Sequence, residues 1–541
     1  MIGRLDEQFH SAIQFLQKME RLLDATKFPQ AFSTPRAFGG DSAGRGGAAA
    51  GTGPKTGKLA TFTVRVIFRQ NASWQGSVSW LDAGSFVEIG GAVTARSTDF
   101  NMQESKVPGD GVITGYGVID GSLVYVYSQD ASVFGGSIGE MHARKITALY
   151  DMAMKMGAPV IGLIDCSGLR LQEGTDALQA FGTIYAKQAL ASGVIPQITA
   201  VFGTCGGGAA ILSGLSDFTF MEEKGKLFVN SPNAIPGNRV EICDTSGARF
   251  QAEEAGNVDF CGTEGEILSQ IRDLICIIPA NNEDNDSYGE CTDDLNRVCA
   301  GIENGSDDAA LVLSMIADNQ KLIEVKVDYA KEMVTGFIRM NGVTVGVVAN
   351  RSKVYDEEGK TQQEFDGSLS SKGCKKAADF VTFCDAFEIP VLTLTDVDGF
   401  KASKCGEKTL AREAARLVYA FASATVPKIN VVTGKAYGSG YLVMNSKALG
   451  ADMVYAWTDA RIGTMDASLA AKILCPDASL EEQRAQAEVY QNLQESAASA
   501  AARGYVDTVI APEDTRKYVI GALEMLFTKR EDHPVKKHGT I

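Results

Sequence analysis

Two glycine-rich stretches hold the strongest chemical potential in the chain. Gly203-Thr204-Cys205-Gly206-Gly207-Gly208-Ala209-Ala210 follows a strand-like run and precedes a helical pattern. Glycines let backbone approach a ligand closely, and the free N–H groups of a helix start favour negative charge. Two such amides aimed at one carbonyl oxygen stabilise an oxyanion as it develops. The competing reading is a tight turn that packs helix against strand, and for one loop alone the two readings stand level. The second stretch, Lys435-Ala436-Tyr437-Gly438-Ser439-Gly440-Tyr441, has an equivalent placement. A pair of such loops weakens the packing reading and suits a group transfer with one oxyanion pocket for each partner. A third candidate, Ser167-Gly168-Leu169-Arg170-Leu171-Gln172-Glu173-Gly174, lies just past a strand end, where open α/β sheets place ligands. Its counterpart starts at Asp398-Gly399-Phe400. The spacing GxGxxG is not met cleanly and GxxxxGK[ST] is absent, which argues against dinucleotide and nucleoside triphosphate loops.

Other chemistries fare worse. The only histidines are His10, His142, His533 and His538, too few for a Ser-His-Asp arrangement. His142 is expected to make a structural hydrogen bond. Asp165 and Asp396 end strands and are expected to bind turn amides or solvent. The 11 cysteines form no CxxC pair and no Cys/His cluster, so zinc and a disulfide framework are not expected. Ala153-Met154-Lys155-Met156 matches the biotin-attachment tetrapeptide of carrier domains, which place the lysine at a hairpin tip. Here it falls in the last turn of a predicted helix, with Asp151 and Lys155 at i,i+4 and Met141, Leu149, Met152 and Met156 on the apolar side. Biotinylation of Lys155 is not expected, and the methionines read as core filler.

The elements that position these loops come from an internal repeat. GAPVIGLIDCSG (157–168) parallels EIPVLTLTDVDG (388–399), and VIPQITAVFGTCGGGAA (194–210) parallels TVPKINVVTGKAYGSGY (425–441). Pro159 and Pro390, Asp165 and Asp396, Gly207 and Gly438, and Lys145 and Lys376 are each 231 residues apart. A period this long means domain duplication and not a solenoid. Strand-like runs at Val160–Ile164 and Ile198–Phe202 alternate with helices, as crossover α/β units require. Residues 111–130 read as two strands around Asp120-Gly121. Ser137 and Glu140 have capping-box spacing for a helix that stops at Gly157.

The chain has 541 residues, which at about 100–200 per domain suggests several domains. Residues 1–60 are expected to hold an amphipathic helix and a Gly/Ala-rich flexible linker. Residues 61–99 hold a β-hairpin and entry segment, 100–330 a first domain and 331–541 a second. The acidic stretch 281–310 reads as a solvated connection. A formal net charge of −16 makes nucleic acid a poor partner. No apolar run spans a bilayer and no signal peptide is evident, so a cytoplasmic location is expected, and the sequon Asn71-Ala72-Ser73 is read as chance.

At this point a resemblance becomes specific. GGSIGEMHARKI (135–146), KMGAPVIGLIDCSGLRLQEG (155–174), ASGVIPQITAVFGTCGGGAA (191–210), AADFVTFCDAFEIPVL (377–392) and ATVPKINVVTGKAYGSGYLVM (424–444) resemble acyl-CoA carboxyltransferase subunits. That family includes the propionyl-CoA carboxylase β chain, the methylmalonyl-CoA decarboxylase α chain and the transcarboxylase core subunit. The resemblance covers about residues 81–541 and implies an α/β fold of two tandem crotonase-like domains. It implies a homo-hexamer with sites between the N-domain of one chain and the C-domain of another. The implied reaction moves a carboxyl group between N1 of biotin, on a separate carrier protein, and the α-carbon of an acyl-CoA, the oxyanions being held by backbone amides. By family position Gly208 and Ala209 face the thioester oxygen, and Ser439 and Gly440 the biotin ureido oxygen. Gly168, Leu169, Gly207, Gly399, Phe400, Gly438 and Leu442 are the implied substrate-binding positions. Implied partners are the biotin carboxyl carrier protein and either biotin carboxylase or the subunits of a membrane decarboxylase, at whose surface the chain would be peripheral. No metal is implied.

The chain departs from the family in three places. Ser167-Gly168-Leu169-Arg170 stands where SGGAR is usual. Tyr437-Gly438-Ser439-Gly440-Tyr441-Leu442 replaces YGGAYD, with Leu442 at a position tied to acyl-group choice. Met465-Asp466-Ala467-Ser468-Leu469-Ala470 replaces MGAKGA. Backbone-amide chemistry tolerates such changes. Two alternatives remain beside the carboxyltransferase: a crotonase-type hydratase or isomerase, which needs paired carboxyl groups in one pocket, and a non-catalytic scaffold subunit.

Overall fold

The structure is a computed structural model that describes residues 80–284, 289–356 and 358–541. They belong to one compact unit, Leu59–Ile541. The helix and linker expected in residues 1–60 and the hairpin expected from residue 61 lie outside the described residues.

The chain folds as an α/β protein with two mixed eight-stranded sheets. The first runs Val87–Ile89, Val112–Ile119, Ser122–Gln129, Val160–Cys166, Gln197–Gly206, Phe218–Glu222 and Phe260–Gly262, with Lys226–Phe228 paired to the far end of Gln197–Gly206. The second runs Leu322–Val325, Met333–Met340, Val343–Asn350, Val391–Val397, Lys428–Tyr437, Met453–Trp457 and Thr508–Ile510. Arg461–Gly463 pairs with the far end of Lys428–Tyr437. The central strands are parallel and buried along most of their length, with Thr393, Thr395, Lys428 and Asn430 among the buried positions of the second sheet. The 231-residue spacing is kept in the two central strands: Val160–Cys166 answers Val391–Val397, and Gln197–Gly206 answers Lys428–Tyr437. The second sheet begins at Leu322, ahead of the boundary expected at 331.

The sheets share a core. Phe218 of the first packs edge-on against Phe383, with ring centroids 4.8 Å apart, and Phe383 meets Phe387 at 4.7 Å. Lys145 and Lys376 occupy equivalent places in helices Glu140–Met156 and Ser371–Ala386, both buried. Lys145 Nζ donates to the carbonyls of Gly109 and Val112, Lys376 Nζ to those of Lys326 and Tyr329. Each ammonium thus ties its helix to the strand connection below it, and burial lowers their pKa values to about 8 and about 7.

Several local expectations need correction. Helix Glu140–Met156 does stop at Gly157, which is left-handed, but its N-cap is Gly139 and Ser137 makes no cap bond. The Glu140 amide donates instead to the Glu173 carboxylate at 2.6 Å, and the Ser137 carbonyl accepts from Arg170. A distant carboxylate has displaced the local cap. Asp151 pairs with Lys187 of the next helix rather than with Lys155, which lies exposed. Met156 is 61% exposed and no part of the core. The acidic segment 281–310 is only partly solvated: Cys299 and Ile302 are buried, and Asp308 caps helix Ala309–Ile316. All 11 cysteines are free thiols. Among the described residues no helix is long and apolar enough to cross a membrane.

Candidate active site

In each sheet the two central parallel strands end side by side, and each end turns into one of the loops singled out above. In the first sheet the Gly168 turn follows Val160–Cys166, and the Gly206-Gly207-Gly208 loop follows Gln197–Gly206. Gly168 has φ +114° and Gly207 φ +60°, conformations that favour glycine. A Cβ on Gly168 would lie 3.4 Å from the Gly206 carbonyl oxygen. In the second sheet the fit is tighter: Gly399 has φ +134°, and a Cβ on Gly440 would lie 2.9 Å from Gly399 Cα. Leu169 forms a parallel bridge to Ile138, and Phe400 pairs in the same way with Leu369. Both bridges hold the turn against the strand connection.

Strand-end carboxylates lock the loops. Asp165 accepts from the Thr204 amide at 3.0 Å and Asp396 from the Lys435 amide at 2.8 Å. Gly203 and Gly434 leave room for them: an added Cβ would meet the carboxylate oxygens at 2.2 and 2.5 Å. Burial raises the pKa of both acids. These carboxylates are committed to turn amides, as their positions predict.

The Gly207 N–H donates to the Phe228 carbonyl (2.9 Å) and the Ala210 N–H to Gly207 (3.2 Å). Gly208 and Ala209 open the short helix Gly208–Gly214, where N–H groups have no intrahelical acceptor. Ser439 and Gly440 stand in the first turn of helix Gly438–Val443 in the same way, Ser439 exposed and Gly440 buried. Leu442, two residues on, is 45% exposed. The structure therefore gathers Gly168, Leu169, Gly207, Gly208 and Ala209 at one sheet, and Gly399, Phe400, Gly438, Ser439, Gly440 and Leu442 at the other.

Three groups brace these loops: Arg170 and Tyr185, whose contacts the sequence does not reveal, and His142, which makes the structural hydrogen bonds expected of it. Arg170, wholly buried, donates to Asp110 (2.6 Å), Glu173 (2.8 Å) and the Ser137 carbonyl (3.0 Å), riveting the turn after Leu169. His142 sits beside it: its Nδ1 lies 3.0 Å from the Asp110 carbonyl and its Nε2 3.2 Å from the Gln129 amide nitrogen. Burial and the Arg170 charge hold its pKa down at about 3, so it is neutral, donating through Nδ1 and accepting at Nε2. Tyr185 donates its hydroxyl to the Gly208 carbonyl at 2.8 Å, bracing the peptide unit that carries the Ala209 N–H. At the second loop Tyr437 and buried Glu495 approach to 3.4 Å. The contacts of Arg170 with Asp110 and of Tyr185 with Gly208 join residues far apart in sequence, so only the fold reveals them.

Comparison with known proteins agrees with the geometry. The pattern of the carboxyl transferase domain family matches residues 70–541. The propionyl-CoA carboxylase carboxyltransferase subunit of Haloferax mediterranei is 41% identical over 481 residues, covering 85% of this chain and 91% of that protein. The methylmalonyl-CoA decarboxylase subunit alpha of Veillonella parvula is 40% identical over 473 residues, with the same coverage of 85% and 91%. A solved structure of transcarboxylase 12S, described as a hexamer with hydrolysed methylmalonyl-coenzyme A bound, superposes with a TM-score of 0.80 at 38% identity. That match covers 85% of this chain and 90% of that one.

Proposed function

The chain belongs to the carboxyl transferase family, and from that membership we propose that it moves a carboxyl group between biotin on a separate carrier protein and the α-carbon of an acyl-CoA. The observation that carries this reading is the pair of glycine loops, one per sheet, each ending a parallel strand with two unspent amides. Gly208 and Ala209 donate to the thioester oxygen as enolate charge develops there. Ser439 and Gly440 donate to the ureido oxygen of biotin, whose N1 carries or receives the carboxyl group. Preorganised amides of this kind are worth about 2.7–4 kcal/mol per donor. No side-chain nucleophile is needed, because the amides themselves hold the developing oxyanions. Gly168, Leu169 and Gly207 border the acyl-CoA side. Gly399, Phe400, Gly438 and Leu442 border the biotin side, with Leu442 facing the acyl group of the bound substrate.

The matching registers of the two sheets support reading them as tandem crotonase-like domains that arose by duplication. We infer further that the chain works as a homo-hexamer, since the transcarboxylase 12S chain it superposes on is a hexamer. A site shared between the first domain of one chain and the second domain of another would bring the two loops together. The partners are then a biotin carboxyl carrier protein with either biotin carboxylase or membrane decarboxylase subunits, on the cytoplasmic side. Propionyl- or methylmalonyl-CoA and acetyl- or malonyl-CoA are the substrate pairs to test. A hydratase would need paired carboxyl groups in one pocket; Asp165 and Asp396 are spent on amides, which leaves Glu495 alone beside the second loop.

The test is transfer to free biotin. Purified protein is mixed with biotin and, separately, malonyl-CoA, methylmalonyl-CoA and glutaconyl-CoA, and loss of the acyl-CoA carboxyl group is followed. Biotin-dependent loss with one substrate is the expected result and names the acyl group. No loss with any, in folded protein that binds CoA, overturns the proposal in favour of a scaffold or hydratase, which crotonyl-CoA hydration separates.

A further inference from the structure

A cavity of about 650 Å³ lies between the two sheets, behind the helix that follows the first glycine loop. One wall is aromatic: Phe218, Phe380, Phe383 and Phe387 line it. The rest mixes apolar residues such as Leu227, Val229 and Val325 with polar ones, three of them carboxylates and three lysines. Asp217 accepts from the Gln197 amide at 2.7 Å. Asp259 accepts from the Thr219 amide at 2.7 Å and faces Lys326 at 3.7 Å. Asp379 is paired with Arg416 at 2.7 Å. Lys326 also donates to the Gly256 carbonyl, and Lys376 is held by its two carbonyls. Every acid on the wall is engaged, and so are these two cations.

Lys375 is different. It is half-buried on helix Ser371–Ala386, lines the cavity, and has no ion-pair or hydrogen-bond partner among the described residues. An ammonium left over beside a wall of phenyl rings, with no carboxylate free to claim it, defines a complementary ligand. We propose that this cavity binds a small organic anion, a carboxylate or sulfonate on an apolar body, with the anion on Lys375 and the body against the phenylalanines. Charge-assisted contacts of this kind are among the stronger hydrogen bonds, and an aromatic wall supplies apolar area. The site joins the halves of the molecule. Ala210 and Ser213 line it from the short helix that opens with Gly208 and Ala209, while Lys375 and Ala386 line it from the second half. An occupant therefore bears on the first glycine loop from behind. The proposal stands apart from the carboxyl-transfer reading.

The probe is 1-anilinonaphthalene-8-sulfonate, which joins an anion to aromatic rings and fluoresces when buried. N-phenyl-1-naphthylamine, its uncharged analogue, reports the apolar wall alone. The intact chain is expected to bind the sulfonate saturably at one site. Lys375→Ala should weaken the sulfonate by about tenfold or more, the loss of one charged contact, and leave the neutral amine unchanged. Ala386→Trp should fill the space and remove saturable binding of both probes, with circular dichroism unaltered. Absence of saturable sulfonate binding, or sulfonate binding that neither substitution changes, overturns the proposal. So does equal weakening of both probes by Lys375→Ala.

Discussion

Gly440 states the local constraint most sharply. Its hydrogen faces Gly399 Cα, and a methyl group there would come within 2.9 Å of backbone that cannot move without its strand. Gly440→Ala is therefore expected to cost about 1–3 kcal/mol by overpacking. Because the displaced amide is one of the two assigned to biotin, carboxyl transfer to free biotin should fall by about tenfold to a hundredfold. CoA affinity should hold, since the acyl-CoA loop is on the other sheet. Steady-state rates with biotin varied, alongside a CoA titration, test this split; equal losses in both would argue that the residue matters only for folding. Arg170 makes a different point. Removing it leaves Asp110 and Glu173 buried without their cation, and breaking such a cluster costs about 3–5 kcal/mol. Arg170→Met should lower the unfolding midpoint accordingly, and Arg170→Lys should restore little, because a point charge cannot replace the planar fork. Thermal unfolding of the two variants measures both.

The helix Glu140–Met156 shows how local sequence and distant partners divide the work. Its far end was legible, since Gly157 after an apolar pattern can adopt the left-handed cap. Its near end was misread: Ser137 and Glu140 have the right spacing, but the amide is taken by Glu173, 33 residues on. The central strands and both glycine loops were legible because the repeat gives each position a second witness 231 residues away. Arg170, His142 and Tyr185 had no such witness in their contacts, which the fold alone creates. The same cluster predicts a pH response. His142 has its pKa lowered to about 3 in the fold against about 6.5 unfolded, so the unfolded chain binds the extra proton between those values. Stability from this group is complete above pH 6.5 and is lost as pH falls toward 3, on the order of a few kcal/mol in all. His142→Gln keeps a donor and an acceptor but cannot titrate. Urea midpoints measured between pH 7 and pH 4 should fall less steeply in the variant than in the parent; parallel curves would refute the assignment. Asp217, raised to about 7 by burial, acts in the opposite sense in both proteins and cancels in the comparison.

The two glycine loops belong to different sheets of one chain, and this shapes what the whole molecule must do. A reaction between two carried groups needs both loops at one place. The surface offers a means. Helix Ala467–Leu474 exposes Leu469, Ile473 and Leu474, and helix Leu480–Tyr490 with the turn after it exposes Leu480, Val489 and Leu493. The first half has Leu171, Leu178 and Ile211 uncovered, on the segments that follow Leu169 and Ala209. Apolar side chains grouped in this way mark interaction surfaces rather than ordinary solvent-facing residues. If a second copy covers them, each first-domain loop meets a second-domain loop from its neighbour, as the proposed hexamer requires. Ile473→Glu combined with Leu480→Glu would bury two charges in that contact, and unpaired buried charge is strongly unfavourable. Sedimentation velocity should then show a smaller species with unchanged circular dichroism, and transfer to free biotin should disappear with the assembly. A variant that stays assembled would remove these helices from the contact. One that dissociates yet keeps full transfer would mean that a single chain supplies the complete site.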